Sequence, residues 1–262
     1  MGMLDGTVAF VTGAASGIGR ATAVRFAREG AAVGVADVAD QEEAGREVVG
    51  EIERAGAKAM FVPCDVSRPD DVRRAIDQTA DALGGLHVVL ANAGINGVWA
   101  PIEELNPDEW DKTLDVNLKG TYLSVHYAIP HLRRAGGGSV IITSSVNGTR
   151  TFSTAGASAY STSKAAQVAF MKMAALELAQ YDIRVNAVLP GAIHTNIGDS
   201  THKRHTEAVE VKVVLPQRKP GIDQGQGEAD EVADVCVFLA SRLSRHVSGV
   251  EIFVDGGASL LR

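Results

Sequence analysis

Short β-branched runs alternate with longer stretches of helical periodicity along almost the whole chain, and this alternation constrains the fold more than any other feature. Strands are expected at Val8–Val11, Ala32–Ala36, Ala57–Val62, His87–Leu90, Ser139–Thr143, Arg184–Leu189 and Glu251–Val254. Helical patterns fill the intervals near Gly17–Glu29, Gln41–Ala55, Pro69–Leu83, Pro107–Arg134, Ala159–Gln180 and Glu228–Ser241. Strands separated by helices require crossover connections, which make the strands parallel and cover both faces of the sheet. Gly30, Gly56 and Gly84–Gly85 fall where helices should stop. No Pro/Ser-rich linker divides the 262 residues, so residues 1–262 read as one α/β domain, a doubly wound parallel sheet long enough to bury a full core. The long irregular stretch at about 192–227 is expected to be a mobile insert serving as a substrate lid, because structureless segments of that length are otherwise rare.

Between the first strand and the first helix stands "TGAASGIG", with Gly13, Gly17 and Gly19 inside seven positions. Glycine costs about 0.5–1 kcal/mol relative to alanine inside regular structure, so its repetition needs a cause. A tight strand-to-helix turn wants freedom in φ, a diphosphate wants main-chain N–H groups free of Cβ, and the helix N-terminus offers partial positive charge. The Gly-Lys-Ser/Thr of a nucleoside-triphosphate loop is missing, which leaves a dinucleotide as the expected ligand. Asp37 ends the second strand 18 residues after Gly19, where a carboxylate can accept hydrogen bonds from adenosine ribose hydroxyls. It would repel a 2′-phosphate, and no Lys or Arg lies between Gly13 and Gly19, so NAD is favoured over NADP.

Further along, "YSTSK" sets Tyr160 and Lys164 at i and i+4 on one helix face. An unperturbed phenol is only about one part in a thousand ionised at pH 7. A nearby ammonium, together with the positive charge of an oxidised nicotinamide, would stabilise the phenolate and suit it to general acid/base work. Tyr-x-x-x-Lys alone is a common accident; its place downstream of a dinucleotide loop gives it weight.

With these motifs, the chain resembles the short-chain dehydrogenase/reductase family over essentially its whole length. The matching residues are Thr12–Gly19, Asp65–Val66, Asn92–Gly94 "NAG", Asn117 in "VNLKG", Ser145 in "ITSSVNG", Tyr160 with Lys164, Pro190–Gly191 and Thr195. The resemblance implies a Rossmann fold with a seven-stranded sheet, and hydride transfer between a nicotinamide cofactor and a secondary alcohol or ketone. It casts Tyr160 as general acid/base and Lys164 as the group that lowers its pKa and holds the nicotinamide ribose. Ser145 would hydrogen-bond the substrate oxygen, and Asn117 would hold a water relaying protons. Thr12 and Asn92 match turn-stabilising positions, and Asp65 and Val66 match adenine contacts. Ile193 and Thr195 would touch the carboxamide end, and Ser16, Ile18, Ala93 and Gly94 complete the cofactor set. Trp99, Arg150 and Phe152 fall in segments that line the family's substrate pocket, though each can equally be a packing or surface residue. Ser144 competes with Ser145, Asn117 can be a satisfied mid-helix amide, and Asp65 and Asn92 can be simple caps or turn residues. Two departures stand out. Ala91 replaces an asparagine common in the family, and the interval of 15 positions from Ser145 to Tyr160 is longer than usual, which alters the pocket wall. Two alternatives remain: an NADPH-type 3-oxoacyl-carrier-protein reductase, and a non-catalytic dinucleotide-binding regulator.

A net charge of −7 argues against nucleic acid as a partner. Cys64 and Cys236 are the only cysteines, too few for a disulfide framework and compatible with a reducing compartment. No secretory signal or membrane-spanning run is visible, so a cytoplasmic location is expected. Seven histidines include His202 and His205 in "HKRH", but no metal-ligand pattern accompanies them and no metal is expected. Between Ala165 and Ala179 only Gln167, Lys172 and Glu177 are not apolar. A helix apolar nearly all round is covered on several sides, which points to a homo-oligomer. The family's common homotetramer agrees, with the Leu260–Leu261 tail as a second contact.

Overall fold

The computed structural model describes residues 2–212 and 226–261. Residues 213–225 of the expected insert and the Leu261 side chain lie outside the described residues. The strands are β1 (Val8–Thr12), β2 (Ala32–Asp37), β3 (Ala59–Pro63), β4 (Val88–Ala91), β5 (Gly97–Trp99), β6 (Gly138–Thr143), β7 (Ile183–Pro190), β8 (Thr201–Lys203) and β9 (Glu251–Val254). The helices are α1 (Gly17–Arg28), α2 (Glu42–Arg54), α3 (Pro69–Leu83), α4 (Pro107–Leu114), α5 (Gly120–Arg134), α6 (Ser158–Leu178) and α7 (Ala229–Ala240). The seven expected strands form one parallel sheet in the order β3-β2-β1-β4-β6-β7-β9.

Helices pack on both faces of this sheet, so β1 and β4 are buried along their full length and carry unbroken apolar runs rather than alternation. One core joins the sheet to α1, α2 and α7 through Phe26, Ile52 and Val237. The other joins it to α3, α5 and α6 through Ile76, Leu132 and Met171. Pro69 opens α3 at a position where its missing N–H costs nothing, and Gly84 closes it in the left-handed region at φ +90°. The sheet order reverses between β1 and β4. A crevice therefore opens at their carboxyl ends, the place where ligands bind in open α/β sheets.

Two elements differ from expectation. The helix expected over Pro107–Arg134 is broken into α4 and α5 by a π-helical turn, Asp115–Lys119, with Asn117 at its centre. Apolar periodicity does not register one extra residue in a turn, and π-turns concentrate at functional sites. The second difference is a small sheet of β5 and β8, paired in parallel from Gly97↔Thr201 to Trp99↔Lys203. Three residues per strand are too few to show a period. The first limb of the insert makes several contacts with the body of the domain. Arg204 grips Glu109 through two bonds of 2.9 Å, and His205 Nδ1 lies 2.7 Å from Glu104 Oε2. Asn96 adds bonds to Thr201 Oγ1 (2.7 Å) and, through its N–H, to Ser200 Oγ (3.0 Å). Glu109 also caps α4 by accepting the Asn106 N–H at 3.0 Å, and Arg204 holds its carboxyl down at about 2.

Candidate active site

The glycine turn is stitched to the end of β4. Thr12 Oγ1 accepts the N–H groups of Asn92 (2.9 Å) and Ala93 (3.0 Å), while Asn92 Nδ2 donates to the Thr12 carbonyl at 3.0 Å. Gly13 and Gly17 adopt φ of +63° and +53°, and a Cβ on Gly13 would lie 2.9 Å from Ala93 Cα. A Cβ on Gly19 would collide with the Gly13 carbonyl. These positions therefore admit only glycine, and they leave the loop main chain open to the cleft. Ser16, Ile18, Asp65, Val66, Ala93 and Gly94 line the same cleft, followed at its far end by Pro190, Gly191, Ile193 and Thr195. Thr12 and Gly19 sit behind it as supports. The cleft encloses about 1520 Å³, more than the ~300–1000 Å³ of a pocket for one small ligand.

Asp37 closes the other end. Its Oδ2 accepts the Ala15 N–H and its Oδ1 the Val38 N–H, each at 2.9 Å, so one lone pair on each oxygen remains for a ligand. Burial raises its pKa, against the pull of those two N–H groups. Among the described residues no arginine or lysine lines this end of the cleft. Arg20, directly after the turn, is ion-paired to Glu51 at 2.9 Å.

At the centre, α6 presents Tyr160 and Lys164 beneath the carboxyl end of β6. Both are buried, 7% and 3% exposed. The Ser145 hydroxyl accepts the Asn147 N–H at 3.1 Å and is near enough to the phenol to ease its ionisation, whereas Ser144 Oγ is spent on the Lys164 carbonyl at 2.8 Å. Geometry thus separates the two serines. Lys164 Nζ donates to the Thr143 carbonyl at 2.9 Å and lies 5.6 Å from the Tyr160 ring centre. Asn117 is fully buried; its Oδ1 accepts the Ile95 N–H (2.8 Å), and its Nδ2 donates to the Ile95 carbonyl (2.9 Å) and Ser163 Oγ (3.0 Å). A Cβ on Gly94 would sit 3.2 Å from Asn117 Oδ1 and 3.5 Å from Lys164 Nζ, so these two groups flank one point.

Burial dominates the electrostatics of both groups. The phenol is not acidified by the protein alone: burial pushes its pKa up, and the Ser145 hydroxyl only partly opposes this. Lys164 is itself lowered by burial, from 10.5 to about 8. Below pH 8 the lysine is charged in both folded and unfolded chains, and its burial costs about 3 kcal/mol. Between pH 8 and 10.5 the unfolded chain keeps a proton that the folded chain gives up, so stability from this group rises across that window. Lys164→Met is expected to abolish turnover, to raise the melting temperature at pH 7 by about 6 °C, and to flatten the gain between pH 8 and 10.5. Thermal unfolding at pH 7 and pH 10 checks this; a lower melting temperature at pH 7 contradicts it.

Of the expected substrate contacts, Trp99 lines the cleft and donates from Nε1 to the Asn96 carbonyl at 3.2 Å. Arg150 and Phe152 are not on the cleft wall. The Arg150 guanidinium lies 3.4 Å from the centre of the Phe253 ring, and Phe152 is 73% exposed. From the same segment Asn147, Thr151 and Thr154 line the cleft instead, together with Phe253. The Thr143 carbonyl, the partner of Lys164, escaped sequence reasoning because a main-chain atom leaves no side-chain signature. Asn96 had a weak signal in its position directly after "NAGI".

Known proteins match this arrangement along nearly the full chain. A family profile described as enoyl-(acyl carrier protein) reductase matches residues 13–259. The 2,5-dichloro-2,5-cyclohexadiene-1,4-diol dehydrogenase LinX of Sphingobium indicum is 37% identical over 98% of both chains. The cyclohexanol dehydrogenase of an Acinetobacter species is 36% identical over 95% of this chain and 93% of its own. A crystal structure of a 3-ketoacyl-ACP reductase from Sinorhizobium meliloti superposes with a TM-score of 0.92 at 48% identity, covering 97% of this chain and 100% of that one. A Rossmann sheet with the glycine turn at its switch point, together with these full-length matches to dehydrogenases of CH–OH groups, establishes that the chain is an oxidoreductase of the short-chain dehydrogenase/reductase family.

Proposed function

We propose that the protein oxidises an uncharged secondary alcohol carried on a small ring, with NAD as acceptor, or reduces the matching ketone with NADH. The observation that carries this reading is that Ser145, Tyr160 and Lys164 open on the same cleft as the glycine turn and Asp37. The residues suit a dinucleotide: the turn admits no Cβ at Gly13 or Gly19, Asp37 retains lone pairs for ribose hydroxyls, and the cleft has room for a second small molecule.

A bound nicotinamide nucleotide supplies the hydride acceptor and, when oxidised, a positive charge beside the phenol. Ser145 hydrogen-bonds the substrate oxygen and steadies the charge that develops there. Tyr160 takes the hydroxyl proton as the carbinol hydrogen leaves as hydride. Lys164, protonated at neutral pH, favours the phenolate, and Asn117 faces it across Gly94, where it would hold the water that passes the proton onward.

Several observations support an uncharged ring. Asn96, Trp99, Asn147, Thr154 and Phe253 line the cleft without formal charge, and the charged side chains that share it there, Asp108, Asp111, Asp115 and Asp199 with Lys112, are mostly acidic and disfavour a carboxylate. The neighbouring arginines are engaged elsewhere, Arg204 with Glu109 and Arg150 over Phe253. Relatives are named for cyclohexanol, for a cyclohexadiene diol and, at 37% identity, for cis-4-hydroxycyclohexanecarboxylate, so their names support the ring and leave the absence of charge to rest on the cleft lining. Turnover of cyclohexanol and cyclohexanediols, followed by NADH absorbance, is expected to exceed that of 4-hydroxycyclohexanecarboxylate at least tenfold in kcat/KM. Preference for the carboxylate, or no turnover of any ring alcohol, overturns the reading. The Sinorhizobium meliloti structure favours a second reading, reduction of carrier-bound 3-oxoacyl chains. Faster turnover of a 3-oxoacyl thioester with NADPH selects it.

Assembly belongs to the same proposal. Met173 and Leu176 of α6 are 56% and 75% exposed, beside Tyr122 of α5 at 46%. A second copy of the chain is the natural cover for this apolar strip, giving a dimer, and the tail with Leu260, 71% exposed, offers the second contact that would join two dimers into a homotetramer. Leu176→Glu is expected to shift the mass measured by light scattering from tetramer to a smaller species; an unchanged mass contradicts this interface. Cys64 and Cys236 are both buried and free, which supports the reducing cytoplasm as the compartment. Among the described residues no helix is long and apolar enough to cross a membrane.

A further inference from the structure

Gln167 is fully buried on α6, three residues after Lys164, and the chemistry described so far makes no use of it. A polar side chain at such a position carries a cost unless its hydrogen bonds are met. Its Nε2 donates to the Asn117 main-chain carbonyl (2.8 Å) and to Thr121 Oγ1 (2.7 Å). Its Oε1 has no partner. The orientation of the amide is dictated by its surroundings, because the carbonyl can only accept, and Thr121 Oγ1 already donates to that same carbonyl at 2.7 Å. Asn117 lies in the π-helical turn, where the main chain departs from α-helical pairing. Both lone pairs of its carbonyl are thus held by side chains, one of them from the helix that carries Tyr160 and Lys164. The unmet Oε1 is the cost of placing a two-proton donor there, where a leucine or methionine would fill the space without penalty.

We infer that Gln167 is a positioning residue: it pins the π-turn to α6 and so fixes the Asn117 amide against Ile95 and opposite Lys164. The inference rests on the proposed role of Asn117 in passing on the substrate proton. When Gln167 is lost, Thr121 alone holds the carbonyl, and the turn is free to relax towards a regular helix, which rotates Asn117 away from Gly94.

Two variants and two readouts test this. Gln167→Met keeps the volume and removes both donors. It is expected to lower kcat for the best ring alcohol about tenfold, to leave the NADH dissociation constant within twofold, and to speed amide hydrogen exchange at residues 115–121 at least tenfold over the rest of the chain. Gln167→Glu can donate only while protonated, so its kcat is expected to fall progressively above neutral pH relative to the native profile. Unchanged exchange at 115–121 in Gln167→Met overturns the inference, as does a uniform rise across the chain. A native pH profile in Gln167→Glu overturns it too. The exchange measurement needs no substrate. If the native enzyme turns over no ring alcohol, the proposed reaction fails while local exchange still decides the role of Gln167.

Discussion

Tyr160→Phe is expected to lower kcat about 10³–10⁴-fold, the upper range for loss of a positioned general acid/base, while NADH still binds within twofold of the native affinity. The substitution removes one oxygen from a residue that is 7% exposed, so the ring packing that shapes the cleft persists. Burial already raises the phenol pKa, and a group so disposed serves as a base only when a positive charge is brought beside it. The residual rate of Tyr160→Phe should therefore lose the pH dependence of the native enzyme, because the group whose ionisation sets the profile is gone. Steady-state kinetics from pH 6 to 10 with fluorescence titration of NADH separates the two effects. Turnover within tenfold of native, with affinity retained, rules out Tyr160 as the acid/base.

The second large effect concerns the choice of cofactor. Asp37→Ser combined with Val38→Arg is expected to shift the ratio of kcat/KM for NAD over NADP by about 10³-fold towards NADP. Two charges about 4 Å apart interact by about 4 kcal/mol at an effective dielectric of 20, and tenfold in rate corresponds to about 1.4 kcal/mol. Removing a repulsion and adding an attraction therefore reaches the stated magnitude even after solvent screening. Serine is chosen because Asp37 accepts the Ala15 N–H, and a hydroxyl offers that donor an acceptor where alanine would leave it unpaired. Parallel assays with both cofactors give the ratio directly. A native enzyme that already prefers NADPH removes the argument from Asp37.

Much of this arrangement was legible in the residues. The seven strands of the main sheet stand where β-branched runs predict them, since strands buried on both faces must be apolar throughout. Gly13, Gly17, Asp37, Ser145, Tyr160 and Lys164 converge on one cleft, as their types and order suggest. What escaped was whatever depends on main-chain geometry or distant pairing. The π-turn at Asp115–Lys119 differs from an α-helix by a single residue per turn, and β5 and β8 find each other across about a hundred residues. Arg150 and Phe152 failed for a related reason. The longer interval after Ser145 was visible, but not which of its side chains would face the cleft: Asn147, Thr151 and Thr154 line it, while Arg150 packs on Phe253 and Phe152 is exposed.

The short ladder between β5 and β8 has an evolutionary consequence. Its bonds run from main chain to main chain, so the two segments stay joined whatever side chains Val98, Trp99, His202 and Lys203 carry. A lineage is then free to exchange Trp99, the one of the four that lines the cleft, without first breaking the pairing that holds it there. Selectivity becomes adjustable while the tether that makes it useful is inherited intact.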